Sequence, residues 1–304
     1  LSPVELLTAV AERAGTANQA VNAFTETLFD DAMVQAREAE AAYLRGSAGP
    51  RPLLGLPVAT KEKHALAGRS FSQGLLAQAA TVAAADHPVV ERIRAAGGIM
   101  HARTTSPEFS CATVTHSPMW GVTRNPWNLD RSPGGSSGGA GAALAAGLAP
   151  LATASDIAGS TRLPAAFTGT VGYKAPYGRI PGLAPLSADW YRGDGPMART
   201  VADTALLANV MSGRHPGDHA SFGGPGTLPL GYPDAGNAAG LRVALCLRLG
   251  DYPLDTAVEA NTRAVAAALQ AAGAVVEAVE LPWTTAGIRD TIFTHFGHTL
   301  GPPL

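Results

Sequence analysis

Cysteine is nearly absent from the sequence: Cys111 and Cys246 are the only two, far apart and in no metal-ligand spacing. A chain of 304 residues needs no disulfide to hold a core, so both read as free thiols in a reducing compartment, and the expected location is the cytoplasm. Charge is scarce too. Charged residues make up 15%, the net charge is −2 and no run of Lys or Arg occurs, so the footprint of a nucleic-acid or anionic-membrane binder is missing. Long apolar runs are missing as well. The longest weakly polar stretch, 140–154, is broken by Gly141, Gly147 and Pro150 and falls short of the ~20 residues a membrane helix needs. The first residues carry Glu5 and Glu12 where a secretory signal would have a basic start and an apolar core.

What is present is apolar and globular. Hydrophobic residues reach 46%, enough for a large core and against disorder as the main state. Ser2, Pro3 and Glu5 form a helix start, with Leu6, Leu7 and Val10 giving the helix face. A second helix is expected over 25–44, ended by Gly46 and Pro50, and 54–61 reads as a strand leading into a charged loop. Helix 87–96, strand 99–102, small-residue helix 139–149 and strand 151–154 follow. Strand 241–247, helix 258–272 and strand 275–281 repeat the theme, after a Gly- and Pro-rich loop over 216–239. This alternation predicts an α/β fold in layers, built on a mixed or largely parallel sheet, as one domain over 1–304.

The chemistry concentrates in 132–179, SPGGSSGGAGAALAAGLAPLATASDIAGSTRLPAAFTGTVGYKAPYGR. Two serine–glycine clusters lie there, with Ser136 and Ser160 separated by 24 positions. Glycines let backbone N–H groups converge on an anion or a developing oxyanion. Taken alone, Gly-Gly-Ser-Ser-Gly-Gly is equally a flexible loop. Residues 134–138 also spell G-x-S-x-G, but that nucleophile elbow requires a strand directly before it. The preceding stretch, 125–133, is turn-rich and contains Pro126 and Pro133, so the elbow reading fails. No Gly-Lys-Ser or Gly-Lys-Thr exists for a phosphate loop. The eight histidines are scattered, none in a recognisable motif with a carboxylate; His215 and His219 are separated by Pro216 and Gly217, which breaks a helical metal face. No metal and no cofactor is expected.

The segment resembles the amidase signature, in which Gly-Gly-Ser-Ser-Gly-Gly is followed by a small-residue helix and then Asp-x-Gly-Gly-Ser-x-Arg-x-Pro-Ala. Here the second half stands as Asp156-Ile157-Ala158-Gly159-Ser160-Thr161-Arg162-Leu163-Pro164-Ala165. Further blocks agree in order: Gly55 to Lys61, Arg103 to Phe109, and Gly195 to Asp203. The resemblance runs over roughly residues 1–282. It implies the amidase-signature α/β/α layered fold, with a central mixed sheet flanked by helices. It also implies hydrolysis of a non-peptide carboxamide through an acyl-enzyme. By that resemblance Ser160 is the nucleophile, Ser136 the bridging serine on a cis peptide, and Lys61 the ultimate base. The backbone N–H groups of Ile157, Ala158, Gly159 and Ser160 form the oxyanion hole. Ser155, Asp156 and Arg162 brace the loop, and Ser110 and Cys111 fall near the acyl pocket, where plain packing explains them equally well.

The implied chemistry is physically coherent. A serine hydroxyl needs a base to take its proton. A lysine can serve only when neutral, so burial must lower its ordinary pKa of ~10.4 by ~2–3 units. Lys63 competes for the role, but Pro57 and the apolar approach favour Lys61. Departures from the signature are Ala158 in place of a glycine, Glu62 where Asp is usual, and Ala175 between Lys174 and Pro176. Family members are commonly longer, so a C-terminal part that completes the sheet is expected to be absent. The expected partner is a small amide, without nucleic acid or membrane, and the assembly expected is a homodimer. Two other readings stay open: an amidotransferase A-type subunit that hydrolyses glutamine for tRNA-dependent transamidation, and a non-catalytic binding protein on the same fold.

Overall fold

The computed structural model describes residues 1–223, 226–231 and 237–299. Parts of the loop read over 216–239, and the last residues from 300 on, lie outside them. Contacts divide the chain into two units, Leu1–Leu230 and Gly231–Leu304.

In the first unit α1 (Pro3–Val21) starts as the sequence requires. Ser2 Oγ accepts from the Glu5 N–H at 3.2 Å and Glu5 Oε2 accepts from the Ser2 N–H at 2.8 Å, a closed capping box. The expected helix over 25–44 is shorter. Its first turn is instead β1 (Phe24–Thr27), and α2 (Phe29–Leu44) begins after Leu28. Phe24, Thr25 and Thr27 suit a pleated surface better than a helix, and tertiary pairing decides the matter. Then come β2 (Pro57–Lys61), α3 (Pro88–Ala95) and β3 (Ile99–Thr104). A short hairpin of β4 (His116–Ser117) and β5 (Gly121–Val122) precedes α4 (Gly138–Ala145) and β6 (Leu151–Asp156). The unit ends with α5 (Arg162–Thr168), β7 (Val171–Gly172), β8 (Gly193–Ala198) and α6 (Val201–Met211).

The six-stranded sheet has the order β1-β3-β2-β6-β8-β7. Strands β3, β2 and β6 run parallel, whereas β1, β8 and β7 join antiparallel, so the sheet is mixed. Ala59, Ala102, Ala152, Ala154 and Met197 face α1 and α4, packing with Ala14, Val21 and Leu144. Val58, Met100, Leu151 and Ala198 face the opposite side, against Val89, Val90 and Ile93 of α3 and Leu207 and Met211 of α6. Each fully buried large aliphatic side chain contributes roughly 1.5–3 kcal/mol, so both faces anchor the central strands firmly. The result is the three-layer α/β/α arrangement with a central mixed sheet.

Helix α4 sits unusually close to its neighbours. A Cβ on Gly138 would lie 2.3 Å from Thr115 Oγ1, and one on Gly139 would lie 2.3 Å from Thr105 Oγ1. Neither position tolerates a side chain, which fixes the helix start and the serines just before it. In the second unit β9 (Arg242–Leu245) and β10 (Val275–Ala278) pair parallel, joined through α7 (Thr256–Ala271), and α8 (Thr285–Thr299) follows the last strand. Among the described residues no helix is long and apolar enough to cross a membrane.

Candidate active site

Strands β2 and β6 are parallel neighbours, with Val58 opposite Leu151 and Ala59 opposite Ala152. Their carboxyl ends therefore emerge on the same edge of the sheet, the edge where α/β folds build sites. Lys61 is the last residue of β2 and is fully buried. Its Nζ lies within hydrogen-bond distance of three serine hydroxyls: Ser136 Oγ at 2.8 Å, Ser137 Oγ at 2.9 Å and Ser155 Oγ at 3.1 Å. Burial pushes the Lys61 amine well below the ordinary lysine value; the charge of Lys63 acts in the same direction and that of Asp194 opposes it. No carboxylate touches the amine among the described residues. A buried lysine that meets only neutral oxygens is held in its neutral form far more readily than one in an ion pair.

Ser136 and Ser137 lead into α4, and the Gly135–Ser136 peptide is cis, as the resemblance implies. Ser137 is also tied to β6, since its Oγ accepts from the Ser155 N–H at 3.3 Å. Its N–H donates to the Ser160 carbonyl at 3.2 Å, so the second serine–glycine cluster lies directly against the first. Lys61, Ser136 and the Ser160 loop are thus brought together. The Ser160 hydroxyl itself takes no hydrogen bond among the described residues. It is half-buried and open to an incoming group.

The loop that carries Ser160 is organised by Asp156. Its carboxylate accepts from the N–H groups of Gly159 (2.7 Å), Thr161 (3.2 Å) and Arg162 (3.3 Å) and from the Arg162 guanidinium through Nε and NH2, both at 2.9 Å. Burial alone would raise the Asp156 carboxyl, but these donors hold it below its usual value. Asp156 and Arg162 are thus joined to each other and to the backbone of this loop. Gly159, with φ +111°, gives its N–H to Asp156, which removes it from the expected oxyanion set. The N–H groups of Ile157, Ala158 and Ser160 take no acceptor among the described residues and remain open to a ligand oxygen.

Ser155, expected only to brace the loop, touches the Lys61 amine directly. Ser110 and Cys111 lie in a tight turn where Phe109 (φ 51°) and Ser110 (φ 60°) are both left-handed, a conformation that non-glycine residues adopt only when their surroundings enforce it. Cys111 is exposed, and no hydrogen bond joins either residue to Lys61, Ser136 or Ser160 among the described residues. Lys63 is half-buried and makes no hydrogen bond among the described residues, which separates it from Lys61.

Sequence reasoning misses two groups here. Ser137 reads in sequence only as the neighbour of Ser136, although the doubled serine is its signal. The other group is a buried polar cluster on the α3 side of the sheet. His64 Nε2 lies 3.0 Å from Asp194 Oδ1, His87 Nε2 lies 3.5 Å from Asp194 Oδ2, and Arg192 NH2 donates to Asp194 Oδ1 at 3.2 Å. The histidines that stand apart from any carboxylate motif in sequence thus converge on one carboxylate in space. Among the described residues His64, His87 and Asp194 are the only trio whose donor atoms could converge on a metal ion. The Arg192 guanidinium and His64 both engage Oδ1 of that carboxylate, while Oδ2 is buried without a hydrogen-bond partner among the described residues.

A protein-family model described as Amidase matches residues 5–296. The A-type subunit of a glutamyl-tRNA(Gln) amidotransferase from Ralstonia pickettii (strain 12J) is 38% identical over 282 residues, which covers 88% of this chain and 56% of that protein. A 6-aminohexanoate-cyclic-dimer hydrolase from Paenarthrobacter ureafaciens is 38% identical over 283 residues, covering 90% of this chain and 55% of that one. The solved structure of a bacterial aryl acylamidase, itself assigned to the amidase signature enzymes, superimposes with a TM-score of 0.86 at 28% identity, over 95% of this chain and 60% of that chain. The chain spans a little over half the length of the curated relatives it matches. With the signature blocks in order, the layered mixed sheet beneath them and a family match across nearly all of its length, this chain belongs to the amidase signature family.

Proposed function

We propose that this chain is an amidase that hydrolyses a carboxamide through an acyl-enzyme on Ser160, with Ser136 as proton relay and Lys61 as base. The observation that carries the reading is the buried Lys61 amine, 2.8 Å from Ser136 Oγ, beneath a loop whose Ser160 hydroxyl is free. As substrate enters, Ser160 Oγ attacks the amide carbon and its proton passes to Ser136, whose own proton passes to Lys61. The N–H groups of Ile157, Ala158 and Ser160 receive the developing oxyanion. Return of the proton through Ser136 to the nitrogen expels ammonia or an amine. Water then releases the acid by the same route in reverse roles.

The two units are taken as parts of one amidase-signature domain, a reading supported by the family match, which crosses the boundary between them. The two free thiols suit the reducing cytoplasm. A second reading has support of its own, because the A-type component of a tRNA-dependent amidotransferase is as similar to this chain as the cyclic-dimer hydrolase is. In that reading glutamine is the amide hydrolysed and the ammonia is passed on within a larger assembly.

Fluorophosphonate labelling followed by peptide mass spectrometry tests the nucleophile. The adduct is expected on Ser160 and is abolished in Ser160→Ala. An adduct on Ser136 would instead restore the elbow reading. Ammonia release measured across an amide panel that includes glutamine then separates the two substrate readings.

A further inference from the structure

The polar cluster behind the sheet is connected to Lys61 by a directed chain of hydrogen bonds. The Lys61 N–H donates to Thr153 Oγ1 at 2.9 Å, and Thr153 Oγ1 lies 2.8 Å from His64 Nδ1. His64 Nε2 lies 3.0 Å from Asp194 Oδ1. The proton positions follow from chemistry. Asp194 can only accept, because Arg192 and His64 hold its carboxyl well below the usual range although burial alone would raise it. Burial pushes His64 below its ordinary value, and in the neutral ring the proton that faces Asp194 sits on Nε2, leaving Nδ1 as an acceptor. Thr153 accepts from Lys61, so its hydroxyl proton is free to point at Nδ1. Every link runs in one direction, from the Lys61 amide to the carboxylate, and Lys61, Thr153, His64 and Asp194 are all buried. His87 supports the same carboxylate from the start of α3: its Nδ1 accepts from the Val89 N–H at 3.3 Å, which turns Nε2 toward Asp194 Oδ2.

We propose that Thr153, His64 and Asp194 are positioning residues for Lys61: the hydrogen-bonded chain locks the end of β2 so that the amine meets Ser136. The inference rests on the reading of Lys61 as base. None of the three residues touches substrate. The charged and titratable groups that act on the amine are Lys63 beyond β2, Asp194 and Arg192 at β8, and Asp156 at the end of β6, with His64 and His87 bearing on it through Asp194. The Asp194 charge favours the protonated amine.

The test uses the full chain and a fluorophosphonate as probe, reading the second-order labelling rate against pH together with the thermal midpoint. Thr153→Val keeps the shape and removes the hydroxyl; it should label about 100-fold more slowly, the scale expected for a base displaced by about an ångström. Thr153→Ser should restore the rate, which separates the hydroxyl from mere packing. In Asp194→Asn the acid limb of the labelling profile should move to lower pH, a change that a purely structural role would not produce. Should Asp194→Asn fail to fold with Arg192 left unpaired, the Thr153 pair decides alone. A Thr153→Val protein with wild-type rate, or a folded Asp194→Asn protein with an unmoved acid limb, overturns the inference. Labelling that persists in Ser160→Ala would overturn the underlying reading instead, and it does so without disturbing the chain.

Discussion

Replacing Lys61 by methionine separates the cost of burying the amine from its use. Methionine matches the unbranched reach of lysine and fills irregular space well, so the packing between β2 and α4 is kept. Activity and fluorophosphonate labelling should be lost, since general-base catalysis contributes typically 10²–10⁴-fold and no other amine reaches Ser136 among the described residues. Stability should behave differently. The Lys61 amine is depressed from 10.5 in the folded chain and returns to that value on unfolding. Below 10.5 the unfolded chain gains a proton that the folded chain refuses, and stability falls as the pH drops. The fall continues until the folded pKa is reached and then stops, because both states are protonated. Each unit of depression is worth about 1.4 kcal/mol over that window. Lys61→Met carries none of this. Its stability relative to wild type should therefore rise steadily from alkaline pH downwards and level off at the folded pKa of Lys61. The three serine hydroxyls that lose their amine partner add an offset that does not change with pH. Calorimetry of both proteins from alkaline to mildly acidic pH would show the effect, about 2–4 °C in melting temperature for each kcal/mol in a unit of this size. A difference that stays flat with pH would mean that the amine keeps its ordinary proton affinity, and the base would be lost from the mechanism.

Lys63→Ala removes a positive charge that depresses the Lys61 amine, so the acid limb of the activity profile should move to higher pH with catalysis otherwise intact; an unmoved limb would show that the two amines do not interact. Asp156→Asn and Arg162→Ala should differ sharply although they break the same ion pair. The Arg162 side chain is 55% exposed and its loss should cost stability within about 1 kcal/mol, whereas Asp156 is buried and organises three backbone N–H groups. Activity and melting temperature measured side by side would refute this ordering if the arginine variant proved the more damaged.

Much of the frame is legible because it is written in local pattern. The capping box at Ser2 and Glu5, the strand that ends at Lys61 and the small-residue helix after the serine pair stand where periodicity and caps place them. The failures have physical causes. Strand β1 hides inside an apparent helix because four residues of strand next to a helical stretch carry no period of their own. Strand β8 escapes the pattern because Gly193, Gly195 and Pro196 argue against a strand, and only pairing with β6 on one side and β7 on the other overrides them. The same strand carries Asp194, so missing it also hides the network behind Lys61. His64 lies 130 positions from Asp194, and no spacing rule spans that distance. The engagement of the Gly159 N–H is equally invisible, since it depends on which way the Asp156 carboxylate turns within one loop.

The two sides of the sheet explain each other. A lysine serves as base only if nothing nearby rewards its charge, yet a buried carboxylate, Asp194, lies close enough to favour the protonated amine. Arg192 resolves the conflict: its guanidinium meets Asp194 Oδ1 at 3.2 Å, and its own charge acts on Lys61 in the opposite direction. Asp194 can then serve as the acceptor that orders His64 and Thr153 without turning Lys61 into its ion-pair partner. The amine itself meets only neutral hydroxyls, those of Ser136, Ser137 and Ser155. Charge thus acts on the amine only from a distance, with Asp194 and Asp156 opposed by Lys63 and Arg192.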